Sequence, residues 1–460
     1  MSRVLFVYPN KEGSPIIPLA ISVLSGILKR HGHKVALFDA TFMTPKYFDN
    51  QVRESTGVAK PVDVRKYWGA GDNLDPDAEF PTLLRAFQPD VIAFSIVENN
   101  YLCARTLFRI SKKTTPALVL AGGLFPTALP EVFIDDANVD LICVGEGEYT
   151  LSELARRLDA KEDISTIANL IVKRGGRLIR NGLAQYHAWE PLIFQDWDIF
   201  DERHVLKPFM GKMRRTGFFE LSRGCPYNCT YCLNRLNQEI FKGLGNYNRE
   251  KPIEYAIQEI EHLKKQYALE LVLFSDENFL AIRKERLTEF CDKYRSRVGL
   301  PFFIMTRADS LLDQGKVALL KDSGCVTVAI GVESGNETIR RQVLNKNLPN
   351  SVYEKAFANC HEAGIRTTAN VMIGLPFETE DDIIESARFC RKVQTRSVSL
   401  AIFVPYHGTH LRDLCVEHGF IEDRMYEEIA IIDRSTLTMP QLSREKIREL
   451  YYRFNSLVYD

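Results

Sequence analysis

Short apolar runs alternate with amphipathic stretches along most of the chain, the pattern of strands followed by helices. In the first third, residues 4–8, 34–39, 91–95, 117–121 and 141–144 read as strands, and 20–30, 100–112 and 150–158 read as helices between or after them. This order predicts an α/β fold that begins with a Rossmann-like, doubly wound parallel sheet, whose ligands bind at the carboxyl ends of the strands. Turn-rich segments at 9–18, 122–130 and 145–149 follow three of those ends. Residues 41–80, polar and carrying Pro45, Pro61, Gly69, Gly71 and Pro76, read as an insertion or long loop.

From about 160 to 215 the alternation breaks. Residues 171–174 and 177–180 around Gly175 and Gly176 read as a hairpin, and the stretch PLIFQDWDIF after it reads as a linker that packs between domains. The βα alternation resumes with strands at 218–222, 271–275, 302–306, 326–332, 367–373 and 397–404, and helices at 253–267, 286–296, 316–322, 352–361 and 381–393. Six βα units predict a full or partial (β/α)6 barrel with its chemistry at the carboxyl ends of the strands. The remaining residues read as a short, mainly helical region. The expected division is therefore 1–155, a linker with hairpin at 156–215, a barrel at 216–404 and a C-terminal region at 405–460.

A chain of 460 residues is long enough for two or three such domains, each with its own core. Hydrophobic residues make up 45% and charged residues 26%, with 59 basic against 60 acidic side chains, a balance that offers no electrostatic grip on nucleic acid. The opening MSRVLFVYPN reads as a strand rather than a signal peptide, and no apolar run approaches the ~18 residues of a membrane span. The expectation is a cytoplasmic protein, with a lipid-like substrate left open. Ten cysteines in such a chain point to metal or redox chemistry. Seven stand singly, at Cys103, Cys143, Cys291, Cys325, Cys360, Cys390 and Cys415, and read as buried small hydrophobes.

The other three are different. ELSRGCPYNCTYCLNR sets Cys225, Cys229 and Cys232 in a C-x3-C-x2-C loop directly after the first barrel strand. Three thiolates hold three irons of a [4Fe–4S] cubane and leave the fourth iron open to chelate a small molecule. A zinc site would want a fourth Cys or His close by, and none follows within the next 28 residues.

With this loop the chain resembles the radical S-adenosylmethionine (SAM) superfamily, and the resemblance extends through the barrel. It implies that the open iron binds SAM and that one electron cleaves the sulfonium to a 5′-deoxyadenosyl radical, which abstracts hydrogen. Position by position, it implies that Tyr231 lies against adenine. Ser275, Asp276 and Glu277 in FSDENF meet the methionine amino group, although two strand-end acids need no such role. Arg307 in TRAD faces the SAM carboxylate, the substrate or solvent. Glu333 in AIGVESGNE contacts the ribose or amino group. Gly374 in NVMIGLPFET lets the fifth strand run beside adenine, though a plain turn also accounts for Gly374 and Pro376.

The first sheet lacks G-x-G-x-x-G after its first strand, which argues against a dinucleotide. The segments YPN…PLAISVLSGILKRHGHKVALFDA, PDVIAFSI, LAGGLFPTALPE and VDLICVGEGEYTLSEL resemble the cobalamin-binding domain of the B12-dependent radical SAM enzymes. That resemblance implies corrinoid contacts from Pro9, from Gly122 and Gly123, and from the loop of Gly145, Glu146, Gly147 and Glu148. It places Val97, Glu98 and Asn99 nearest cobalt. Tight βα turns would also account for these glycines. No D-x-H-x-x-G supplies a lower axial histidine, so base-off cobalamin is implied; His33 reads as closing a helix–strand turn, and Leu124 or Phe125 stands where the family often has histidine.

The expected activity is a cobalamin-dependent radical SAM methyltransferase acting on an unactivated carbon. Its cofactors are a [4Fe–4S] cluster, SAM and cobalamin, held on facing sides of one substrate cavity. Its partners are a small-molecule or lipid-like substrate and an external one-electron reductant of flavodoxin or ferredoxin type. A B12-dependent radical SAM enzyme that does not methylate (a cyclase, ring-contracting enzyme or reductase) uses the same loops. A non-catalytic cobalamin or electron-carrier protein would leave the open iron unused. Tyr406, His407 and His410 in VPYHGTHL mark the expected specificity region, unless they form only a turn.

Overall fold

The computed structural model describes residues 1–10, 15–43, 54, 60–69, 72, 74–186, 189, 193–423 and 433–460. Parts of the expected turn 9–18, most of the first half of the expected insertion 41–80, Pro191 and Leu192 of the expected linker, and residues 424–432 of the C-terminal region lie outside the described residues. The chain forms two compact units: 1–48, 63–206 and 239–246 make the first, and 49–62, 207–238 and 247–460 make the second.

In the first unit, β1 (Arg3–Tyr8), β2 (Lys34–Asp39), β3 (Val91–Ser95), β4 (Leu118–Gly122) and β5 (Leu141–Cys143) pair in parallel in the order β2-β1-β3-β4-β5. Helices α1 (Leu19–Arg30), α2 (Pro76–Phe87), α3 (Tyr101–Thr114) and α4 (Glu148–Ala160) connect or follow the strands. The order reverses beside β1, so the carboxyl ends of β1 and β3 flank the crevice where doubly wound sheets hold ligands. β6 (Leu170–Arg174) and β7 (Arg177–Arg180) form the expected hairpin, which continues the sheet antiparallel to β5. The stretch after it packs on α1: Asp196 takes the Ser25 hydroxyl at 2.5 Å and the Lys29 ammonium at 2.7 Å.

α2 begins inside the expected insertion, at Pro76, and runs beyond it. Its start is marked by Asp75, whose carboxylate caps the Asp77 N–H at 3.2 Å, and by Pro76 at the first helical position, where a missing N–H costs nothing. The helix carries a second proline, Pro81, yet Phe80 and Leu84 bury it against the sheet side. Phe94, Tyr101, Phe108, Phe125 and Phe133 interlock edge to face in the same core.

In the second unit six strands run in parallel: β8 (Lys212–Phe219), β9 (Leu271–Phe274), β10 (Phe302–Thr306), β11 (Cys325–Glu333), β12 (Arg366–Ile373) and β13 (Ser397–Ile402). With the short strand Leu206–Phe209 beside β8 the sheet has seven strands and two free edges, so it is a partial barrel. Helices α5 (Ile253–Tyr267), α6 (Lys284–Lys293), α7 (Gln314–Asp322), α8 (Asn350–Glu362) and α9 (Glu380–Lys392) return the chain between strands. Alternate side chains of β12 are buried, as a sheet under helices requires. α10 (His410–Glu417) and α11 (Arg444–Tyr459) follow β13, and α11 packs on α9.

Candidate active site

The cysteine loop is anchored through its backbone. β8 ends at Phe219, and the Asp276 carboxylate then takes the Leu221 N–H at 3.1 and 3.2 Å and the Ser222 hydroxyl at 2.6 Å. Gly224 turns at φ 87°, where any Cβ would run into the Tyr247 carbonyl. Past it, Gln238 Nε2 donates to the carbonyls of Cys225 (2.8 Å) and Tyr227 (3.3 Å), and Asn345 Nδ2 to that of Asn228 (2.9 Å). The Thr230 hydroxyl donates to the Val343 carbonyl at 2.6 Å. These bonds engage no thiol. Cys225 and Cys229 are buried, Cys232 is half-buried, and all three are free. Burial pushes the Cys225 thiol up and the Cys232 thiol to about 11, with the neighbouring cysteines adding to both. Among the described residues no three His, Cys, Asp or Glu side chains converge on a single metal ion. Thiolates that each take their own iron of a cubane have no need to converge.

Polar groups gather at the carboxyl ends of the neighbouring strands. Ser275 N–H still belongs to the sheet, donating to the Phe219 carbonyl at 2.8 Å. Asp276 is buried, which raises it to about 7, helped by the charges of Glu220 and Glu277. Its carboxylate thus shapes the backbone before the cysteines. Glu277, exposed, accepts the Gly224 N–H at 3.2 Å. The Arg307 guanidinium lies 3.5 Å over the ring of Tyr227, and both side chains reach Asp309, at 3.2 Å in each case.

Glu333 ends β11 in a strained conformation. The strand shifts register between Gly331 and Glu333, and Glu333 sits at φ 67°. A non-glycine residue there costs about 1–3 kcal/mol and persists only where its surroundings impose it. They do: buried Lys346 Nζ lies 2.9 Å from Glu333 Oε1 and 2.5 Å from the Gly331 carbonyl. Breaking one partner of such a buried pair costs about 3–5 kcal/mol, more than the strain. Tyr231 in the cysteine loop joins them; burial, then the charge of Glu333, with which it also hydrogen-bonds, push its phenol well up. Gly374 turns at φ 74° with Ile447 of α11 set 3.1 Å from where a Cβ would stand. Its N–H and that of Leu375 meet Glu378 Oε2 at 2.7 and 3.1 Å.

The first unit presents a second, separate set of loops. Gly123, at φ 109°, lets the turn after β4 lie against Ile96. Ile96 N–H donates to the Gly122 carbonyl at 2.8 Å. Gly145 N–H donates to Thr127 Oγ1 at 2.9 Å, and the space over Gly145 is taken by the ring of Phe241, so that glycine opens no room for a nucleotide. Gly147 approaches Leu24 and leads into α4; Glu148 is buried. Pro9 and Glu98 are buried, whereas Val97 and Asn99 are exposed. Ile16, Val97, Leu124 and Tyr149 are 39, 43, 50 and 46% exposed, and they stand on the segments that follow β1, β3, β4 and β5, Leu124 and Tyr149 at the first turns of helices. His33 closes the turn between α1 and β2, 3.5 Å from Asp159.

Family comparisons agree with both halves. The B12 binding domain description matches residues 66–155 and the radical SAM superfamily description matches residues 219–390. The chain is a B12-dependent radical SAM enzyme. It is 24% identical over 410 residues to an uncharacterized methyltransferase of Pyrococcus horikoshii, covering 88% of this chain and 84% of that one. Over 422 residues it is also 24% identical to the anaerobic magnesium-protoporphyrin IX monomethyl ester cyclase of Rubrivivax gelatinosus, covering 88% and 68%. Its fold resembles the radical SAM methyltransferase TsrM of Kitasatospora setae, solved with tryptophan and a SAM analogue, at a TM-score of 0.66, 18% identity, and 90% and 77% coverage.

The groups this enzyme works with fit the residues present. Three adjacent, unpaired thiols on a loop anchored by its backbone suit a cluster. The uncovered apolar side chains at the carboxyl edge of the first sheet suit the face of a corrin ring. Sequence reasoning missed Lys346, Tyr227, Asp309 and Glu378. A lysine in LNKNL and an aspartate in RADS look like solvated loop residues, and only the fold reveals their burial or partners.

Proposed function

We propose that this enzyme methylates an unactivated carbon of a small, largely apolar substrate, using SAM at the cysteine loop and cobalamin at the first sheet. The observation that carries this reading is the cysteine loop itself: three free, mutually adjacent thiols beside Tyr231, Glu333 and Arg307. When bound, the cluster supplies the electron that cleaves SAM, and the corrinoid supplies the methyl group. The chain's own residues bind and orient. Tyr231 and the Glu333 carboxylate offer a hydrogen-bonding surface to a ribose or ammonium, and Arg307, fixed flat on Tyr227, offers a cation to a carboxylate. Burial of Glu333 keeps water from its side of the radical chemistry. Low-potential electrons come from a flavodoxin or ferredoxin type donor in the cytoplasm, in keeping with ten free cysteines.

Product analysis of the anaerobic, reconstituted enzyme tests this. Methylated substrate with S-adenosylhomocysteine and 5′-deoxyadenosine is expected. A second reading, radical chemistry without methyl transfer, such as cyclisation, is favoured by the similarity to the Rubrivivax cyclase; 5′-deoxyadenosine formed with no S-adenosylhomocysteine would support it and remove the first.

A further inference from the structure

The segment from Ile339 to Asn350 ties the cysteine loop to Glu333. It starts with a single wide turn at Ile339–Val343, a deviation from regular helix that is frequent at functional sites. Arg340, fully buried beneath it, donates to the carbonyls of Ser334 (2.5 Å) and Leu348 (3.1 Å) and to Asn350 Oδ1 (2.5 Å). The same segment holds the cysteine loop through Val343, Leu344 and Asn345, whose groups meet Thr230 Oγ1, Thr230 N–H and the Asn228 carbonyl. Between these attachments the buried Lys346 turns inward to Glu333. Gly331 is what admits the pair: a Cβ there would run into Glu333 Oε1 and come within 2.8 Å of Lys346 Nζ.

We propose that Lys346 is a positioning residue for SAM: it holds the Glu333 carboxylate in its strained conformation beside Tyr231, and it sets a buried positive charge on the segment that grips the cysteine loop. This rests on the radical SAM reading of the site. A bulge, a left-handed glutamate and a buried ammonium form a costly arrangement for a strand end with no ligand to receive. Lys346 and Tyr231 each take one acceptor site of the Glu333 carboxylate, and of its roughly four lone-pair sites the others remain for a ribose hydroxyl or an ammonium. A fixed cation on that segment also favours the cluster's reduced, more negative state.

The test uses the full chain, anaerobically reconstituted, in wild-type form and as K346M, K346R, E333Q and the K346M/E333Q double variant. SAM affinity is read by equilibrium dialysis and the cluster's midpoint potential by EPR-monitored titration. K346M is expected to bind SAM about tenfold more weakly or worse, the loss of one charge-assisted hydrogen bond, and to reduce at a lower potential. K346R restores most of the affinity. The double variant binds no more weakly than E333Q, because Lys346 acts through Glu333. K346M with wild-type iron content, affinity and potential overturns the proposal. Should K346M fail to hold the cluster, G331A decides, since its methyl displaces the pair while keeping both charges: weaker SAM binding supports the proposal, and unchanged binding overturns it. Absence of SAM binding by the wild type would instead remove the radical SAM reading.

Discussion

Glu378 reaches the interior of the second unit with one carboxylate oxygen on the Gly374 and Leu375 N–H groups and the other without a partner among the described residues. Burial is the main cause that raises it to about 8, against an ordinary 4.5. An acid raised in this way favours the folded state while protonated. That contribution is present below about pH 4.5 and is lost as pH rises through about 8. E378Q removes the titration and keeps an acceptor for both N–H groups. Thermal unfolding between pH 5 and 8 should therefore show the wild type losing stability with rising pH more steeply than E378Q; equal slopes would mean that Glu378 does not carry the effect. At the cysteines the expectation is sharper. Replacing Cys225, Cys229 or Cys232 singly by alanine should leave a folded protein that fails to hold a full cubane, measured as iron per chain and absorbance near 400 nm, because each thiolate ligates a different iron. C360A, in the barrel core, should retain full iron.

At the scale of elements, Gly123 shows how a turn constrains its neighbour. Its φ is 109°, and the backbone of Ile96 lies 2.6 and 2.8 Å from where a Cβ would stand, which leaves no room for a side chain. G123A should destabilise the first unit by about 1–3 kcal/mol, seen as a lower unfolding midpoint; no change would mean that the loop after β3 yields freely. Most of the elements were legible in the sequence because parallel strands buried on both faces read as continuous apolar runs, as in 91–95 and 302–306. The start of α2 was hidden because Pro76 stands at the end of a polar stretch rich in Pro and Gly. The β8 terminus lies at Phe219 instead of residue 222 because Asp276, far along the chain, takes the N–H of Leu221. Likewise Lys346 is invisible in sequence, since its burial depends on Arg340 and on the space left by Gly331.

Over the whole molecule, the two units carry two different kinds of site. The second unit concentrates thiols and charged groups at strand ends, and the first exposes apolar side chains at the carboxyl edge of its sheet. No helix among the described residues is long and apolar enough to cross a membrane. The three cysteines were legible because their spacing carries the chemistry, and the strand-end residues were legible only by resemblance, since their roles depend on partners from distant strands. The central claim, a radical SAM cluster and a corrinoid on one chain, is tested most directly by counting metals and corrinoid after anaerobic purification with cobalamin. About four irons and about one cobalt per chain are expected; a protein that takes up zinc in place of iron, or never retains cobalt, would contradict the account.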